Sequence, residues 1–276
     1  MTYGRESELA AAVEAARAAG ELVRSEFTRR PEGGARMKDA NDFVTRTDVE
    51  SERIIVERLT AAAPGIPVLA EESARRVEAE AFWVIDPLDG TTNFMHRYPQ
   101  VGISIALVRS GEIVLGVVLD PLRDELFEAT AGGGARCNGQ PIRVSDASGL
   151  DQALLGTGFP FRVHQYLDDY LAVFRDLFLR CHGIRRAGAA VLDLAHVAAG
   201  RLDGFWELAL RPWDIAAGAV LVREAGGVVS DFFGGDTFLR AGNIAAGPPP
   251  VHAEIVPVTS RRFTAEQVRP LGVDLF

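Results

Sequence analysis

Apolar positions recur every four or three residues from Leu9 through Val13, Ala16, Gly20 and Val23 to Phe27, which predicts an amphipathic helix over residues 6–29. Its stripe is rich in Ala and Gly and so suits close packing on another element. Pro31-Glu32-Gly33-Gly34 breaks the period and opens a mobile, polar loop through Asn41. Thr47 followed by Glu50 reads as a capping box for a second helix that runs to about Thr60 and ends at Pro64. Two apolar runs, 66–70 and 82–85, read as buried strands, the second closed by an abrupt turn that Pro87 stiffens. From Val101 the pattern is one of strands. Segments 101–108, 113–119 and 126–130 are separated by Ser110-Gly111 and by Pro121-Leu122-Arg123-Asp124, and Asn138-Gly139 marks another hairpin. This is an antiparallel meander. Gly132-Gly133-Gly134 lacks the strand–helix context of a phosphate loop and reads as a turn.

Strand patterns then alternate with helical ones. Strands are predicted at 154–158, 184–186, 204–208, 228–231 and 242–247, and helices at 166–180, 189–199 and from Trp213 to Glu224. Gly226-Gly227 stops the last helix. After Pro248 no pattern is readable, and no internal repeat is present. The reading is one domain over 1–276, with halves of about 1–148 and 149–276.

Composition narrows the functional classes. A chain of 276 residues that is 47% hydrophobic can bury a large core. Net charge −9 argues against a nucleic-acid surface or an anionic membrane as partner, so an anionic substrate would need bound cations. No run approaches the ~18 apolar residues of a membrane span. Arg5, Glu6 and Glu8 precede any apolar stretch, so no secretory leader is visible, and Cys137 and Cys181 suit free thiols of a reducing cytoplasm. The five histidines show no ligand spacing, and no Gly-x-Ser-x-Gly or Cys-His nucleophile pattern occurs.

The chemistry concentrates in Trp83-Val84-Ile85-Asp86-Pro87-Leu88-Asp89-Gly90-Thr91-Thr92-Asn93-Phe94. Two carboxylates three residues apart repel unless a proton or cation lies between them. Hard divalent ions such as Mg²⁺ take such oxygen ligands, and a helix start after Gly90 offers backbone N–H groups to a phosphate. An isolated Asp-x-x-Asp would read as a solvated turn; the complete string resembles the metal-binding signature of the inositol monophosphatase family, Mg²⁺-dependent, lithium-sensitive phosphatases. Further segments are similar to the family's. Asp42 to Asp48 resembles its Asp-(x)₂-Thr-x-Thr/Val-Asp stretch, although Asp48 also fits a helix-dipole role. Glu71-Glu72, fifteen residues before Asp86, stands where the family has Gly-Glu-Glu, with Ala70 replacing the Gly. Trp213-Asp214 through Gly226-Gly227 resembles its second signature, where Asp214 alone would read as a cap.

The resemblance covers roughly residues 5–247. It implies an α/β (α+β) fold, the layered αβαβα sandwich of the inositol monophosphatase/fructose-1,6-bisphosphatase type. It also implies a ligand set: Asp86 bridging two Mg²⁺ ions, Glu71 and the Leu88 carbonyl completing one site, Asp89 and Asp214 the other. Thr91 with Glu71 would activate water, Asp48 would support Thr91, and the N–H groups of Gly90 and Thr91 would hold phosphate. Gly188, Ala190 and Glu207 would meet the substrate alcohol, with Glu207, at the end of an otherwise apolar strand, binding its hydroxyls; the alternative for Glu207 is an exposed acid. The implied activity is hydrolysis of myo-inositol monophosphate or a similar small polyol phosphate by a two- or three-metal activated water. Histidinol phosphate, fructose bisphosphate and nucleotide 3′-phosphates are alternatives. The implied partners are a second copy of the chain and, because Leu210 to Asp214 resembles certain bacterial relatives, the transcription machinery.

Overall fold

The computed structural model describes residues 3–29, 36–39, 42–73 and 76–268. Helix α1 (Tyr3–Thr28) is followed by a hairpin of β1 (Arg36–Asp39) and β2 (Asp42–Val44), antiparallel with Arg36 opposite Val44. Strand β1 replaces the predicted loop at 36–39; the rest of that loop, 31–35 and 40–41, lies outside the described residues. Helix α2 (Arg46–Ala62) starts earlier than the Thr47/Glu50 pattern implies. Its cap is Thr45, extended at φ −110° and ψ 169°, and Asp48 is the reciprocal acid of the capping box. Glu50 instead lies on the solvent side and pairs with Arg53. Two Thr-x-x-acid patterns overlap here, and burial of Thr47 and Asp48 selects the earlier one.

A seven-stranded sheet follows, in the order β3 (Val68–Ala70), β4 (Ala81–Asp89), β5 (Gly102–Arg109), β6 (Glu112–Asp120), β7 (Glu125–Thr130), β8 (Gly134–Cys137), β9 (Gln140–Ile142). The β3–β4 pair is parallel and every later pair antiparallel, as the hairpin signals predict. Alternate residues serve two cores. Trp83, Ile85, Ile103, Ile105 and Val117 pack with Ala12, Ala15, Ala16 and Ala19 of α1, while Val84, Ala106, Val108 and Val118 face the molecule's centre. Burial of both faces is why these strands read as continuous apolar runs.

The second sheet is ordered β11 (Gly183–Arg185), β10 (Leu154–Thr157), β12 (Gly204–Leu208), β14 (Asn243–Gly247), β13 (Val228–Ser230). Its first three strands run parallel. Between the two sheets lie α5 (Ala190–Ala198) and α6 (Pro212–Glu224), apolar on nearly every side because both faces are covered. Small residues set that spacing: a Cβ added at Gly116 of β6 would lie 2.8 Å from the Ala217 Cα of α6. Outside the second sheet are α4 (Leu167–Phe178) and α8 (Pro249–Arg262), around Tyr170, Trp206, Phe232 and Phe263. The layers are thus α, β, α, β, α, as the resemblance implies. The tail unreadable in sequence forms α8 and the short α9 (Ala265–Val268). Pro249 and Pro250 suit a helix start, whereas the internal Pro257 obscures the helical pattern.

Candidate active site

Strand β4 does not turn at Pro87. It pairs with β5 from Ala81 to Asp89, with a bulge between Asp86 and Asp89 that absorbs the proline. The bulge carbonyl of Pro87 accepts a hydrogen bond from Ser51 Oγ of α2 at 2.8 Å. The turn comes at Gly90, whose φ of +89° is left-handed, and α3 (Thr91–His96) begins there. Space adds a second demand, because a Cβ at Gly90 would lie 2.8 Å from the Gln100 carbonyl.

Main-chain donors orient each acid. Asp86 Oδ1 accepts from Leu88 N at 3.0 Å, and Asp89 Oδ2 accepts from Val191 N in the first turn of α5 at 2.8 Å. Asp214 Oδ2 accepts from Arg211 N at 2.7 Å, so it does cap its own helix, yet it faces the cleft. Glu71 follows the end of β3, where its own N–H donates to Ile85 O at 3.2 Å; the next N–H, of Glu72, donates to Glu52 Oε2 of α2 at 2.8 Å. Thr91 Oγ1 donates to Asp48 Oδ1 at 2.8 Å and lies 3.2 Å from the Leu88 carbonyl. Asp48 also accepts from Thr45 N at 2.8 Å and from the Thr45 hydroxyl. The cap of α2 therefore holds Thr91.

These residues meet in a cleft of about 290 Å³ lined by Glu71, Asp86, Leu88, Asp89, Gly90, Thr91, Gly188, Ala190, Glu207 and Asp214. Every sequence-predicted site residue except Asp48 lines it, and Asp48 stands directly behind Thr91. Glu207 is 7% exposed, which removes the solvated-acid reading. Sequence reasoning missed Asn93, whose amide donates to the carbonyls of Gln100, Ala187 and Gly188 and joins the two halves of the cleft. It also missed the loop after β10, where Phe159, Pro160, Phe161 and Arg162 form one wall, and Arg186, whose guanidinium lies over the Phe159 ring 5.1 Å from its centroid. Arg162 Nη1 lies 3.9 Å from Asp214 Oδ2. The available signal was a Gly-Phe-Pro-Phe-Arg stretch at the carboxyl end of a parallel strand, where open α/β sheets bind ligands.

Burial pushes Asp86 well above the usual carboxylate range, and Glu71, Asp89 and Asp214 push it further. Asp89 is raised by burial and then by Asp214. Burial raises Asp214 to about 6, with Arg162 opposing the shift. Glu207 is raised by burial and by Asp193, itself pushed by burial to about 8. Among the described residues no three acids, histidines or cysteines close into a tight ligand shell. The donor set fits a cation: all oxygen, buried and mutually repelling, which suits a hard divalent ion.

The layered fold, with buried acids gathered at strand ends and helix starts, defines the class of architecture. A profile of the Inositol monophosphatase family matches residues 5–262. Nus factor SuhB of Salmonella typhimurium is 48% identical over 245 residues, covering 88% of this chain and 92% of that protein. Among solved structures, extragenic suppressor protein suhB from Bartonella henselae superposes with a TM-score of 0.87 at 39% identity, over 91% of this chain and 97% of that one. An inositol monophosphatase from Anabaena (Nostoc) gives 0.84 at 38% identity, over 94% and 97%. The chain belongs to the inositol monophosphatase family.

Proposed function

We propose that this protein is a Mg²⁺-dependent phosphatase that hydrolyses myo-inositol monophosphate or a similar small polyol phosphate. The observation that carries the reading is the convergence of Glu71, the β4 pair Asp86 and Asp89, and Asp214 of α6 on one cleft beside Gly90 and Thr91. Those four acids and the Leu88 carbonyl would hold the magnesium. When bound, the metal supplies charge neutralisation at the phosphate and a lowered pKa for water.

The chain's own groups then position the reactants. Thr91 has one hydroxyl proton, spent on Asp48, so toward the cleft it offers only lone pairs. Such an acceptor, together with Glu71, orients the O–H bonds of an attacking water. The N–H groups of Gly90 and Thr91 hold the phosphate. In-line phosphoryl transfer needs positioning and charge stabilisation, and no protein nucleophile is required. Glu207 and the wall at Gly188 and Ala190 take the alcohol, where a buried carboxylate accepts hydrogen bonds from vicinal hydroxyls.

The test is a panel of phosphate esters assayed with Mg²⁺ and after exhaustive chelation. Inositol and polyol phosphates are expected to be cleaved, with activity lost on chelation and reduced in millimolar lithium. Full activity without metal, or turnover confined to histidinol phosphate, fructose bisphosphate or nucleotide 3′-phosphates, refutes the corresponding part. Because the relative from Salmonella typhimurium is named a Nus factor, a second role as a partner of the transcription machinery is part of the proposal. Co-purification with RNA polymerase under native conditions tests it. The proposed setting is a cytoplasmic homodimer; no described helix is long and apolar enough to cross a membrane.

A further inference from the structure

Gly158 follows β10 on the wall of the cleft. In the parallel pairing of β10 with β12, Gly156 lies opposite Phe205 and Thr157 opposite Trp206, so Gly158 comes next to Glu207. Its backbone is not left-handed, and conformational freedom therefore does not explain a glycine there. Space does. A Cβ at Gly158 would fall inside the van der Waals shell of the Glu207 carboxylate, overlapping Oε1, Cδ and Oε2 together. The acid lies against a bare Cα, and both residues line the 290 Å³ cleft. Glu207 is otherwise buried and the open volume beside it is the cleft it lines, so its carboxylate yields to a methyl group by moving toward that cleft.

We infer that Gly158 is a specificity-determining positioning residue: it sets the depth at which Glu207 meets substrate hydroxyls, leaving room for a ring-shaped polyol. A side chain at 158 moves the carboxylate into the volume the ring needs and leaves the metal-ligating acids untouched. The inference rests on the reading of Glu207 as the hydroxyl-binding residue.

The experiment measures kcat/KM for myo-inositol 1-phosphate and for phenyl phosphate, which has no hydroxyls, in wild type, Gly158→Ala, Glu207→Asp and the double variant. The inositol-to-phenyl ratio is expected to fall about tenfold or more in Gly158→Ala, the scale of discrimination one methyl group supplies. In that background Glu207→Asp should raise the ratio by withdrawing the carboxylate one methylene, whereas in wild type it should lower it. An unchanged ratio in Gly158→Ala, or equal losses on both esters, overturns the inference. So does a Glu207→Asp effect that is the same in both backgrounds. Melting temperatures of the four proteins supply a reading that needs no substrate: Gly158→Ala should lower the value and Glu207→Asp should restore part of the loss. Additive shifts, or a double variant as unfolded as Gly158→Ala, overturn it as well. If wild type does not cleave inositol phosphate, the proposed function fails, and the melting cycle alone decides the role of Gly158.

Discussion

Single residues carry the chemistry, and two of them separate metal binding from substrate recognition. Asp89→Asn keeps the side chain's size and its acceptor for Val191 N but removes one charge from a self-repelling cluster. Turnover is expected to fall about 100-fold or more, because the proposed second metal position loses a ligand charge and holds the cation that stabilises the leaving oxygen less tightly. Without Mg²⁺ the variant should melt at or slightly above the wild-type temperature, since repulsion is relieved, and the Mg²⁺-dependent rise should shrink. Wild-type turnover in a folded variant would remove Asp89 from the metal site. Glu207→Gln makes the opposite cut. A charged acceptor contributes about 1.5–3 kcal/mol in hydrogen bonds, so kcat/KM for inositol phosphate should drop far more than that for an aryl phosphate. Equal losses would make Glu207 structural.

At the scale of elements, a helix cap doubles as a support for catalysis. Thr45 accepts from Thr47 N at 3.1 Å and donates to Asp48, which in turn receives the Thr91 hydroxyl. Thr45→Ala is expected to destabilise the fold by about 1 kcal/mol, an ordinary capping loss, read as a lower urea midpoint. It should also reduce kcat severalfold with little change in KM, as Asp48 loses its anchor. Thr45→Ser should restore both. A stability loss with unchanged kcat would show that Asp48 is held without the cap. The existence and type of most elements were legible from period and punctuation: the meander, α5, and α6 with its glycine stop. What failed was local competition. Overlapping cap patterns at 45–50 and a proline inside β4 have no unique local solution, and burial and sheet pairing chose between them.

For the whole molecule, the acid cluster makes stability depend jointly on pH and metal. Asp86, Asp89, Asp193, Asp214 and Glu207 all have folded-state values above the ordinary carboxylate range. A raised value favours the folded state below the unfolded pKa and loses that contribution as pH climbs through the folded one. With Asp214 at about 6 and Asp193 at about 8, the metal-free protein should lose stability progressively from about pH 4 to about pH 8. Magnesium binds the ionised carboxylates, so the melting-temperature difference with and without Mg²⁺ should grow over the same range. His196 and His252, lowered by burial, act in the opposite sense near neutrality but are common to both arms of that difference. A difference that is flat with pH would mean the cluster does not bind the ion.

The sequence by itself determined the succession of most elements and, through its resemblance to a family, the fold class and the candidate donors, because the signatures that carry the resemblance are local strings. Asp86 to Asn93 and Trp213 to Gly227 each combine a strand or helix signal with the acids it presents, and no distant residue is needed to read them. Tertiary structure decided the rest. Gly188 and Ala190 sit beside Gly90 because Asn93 bridges to the 187–188 carbonyls, and Arg162 reaches Asp214 only because the loop after β10 and the first turn of α6 both line the cleft. That Glu207 is a buried wall rather than a surface acid follows from β12 lying between β10 and β14. These are contacts between positions tens of residues apart, and a local pattern carries no record of which distant backbone will lie beside it.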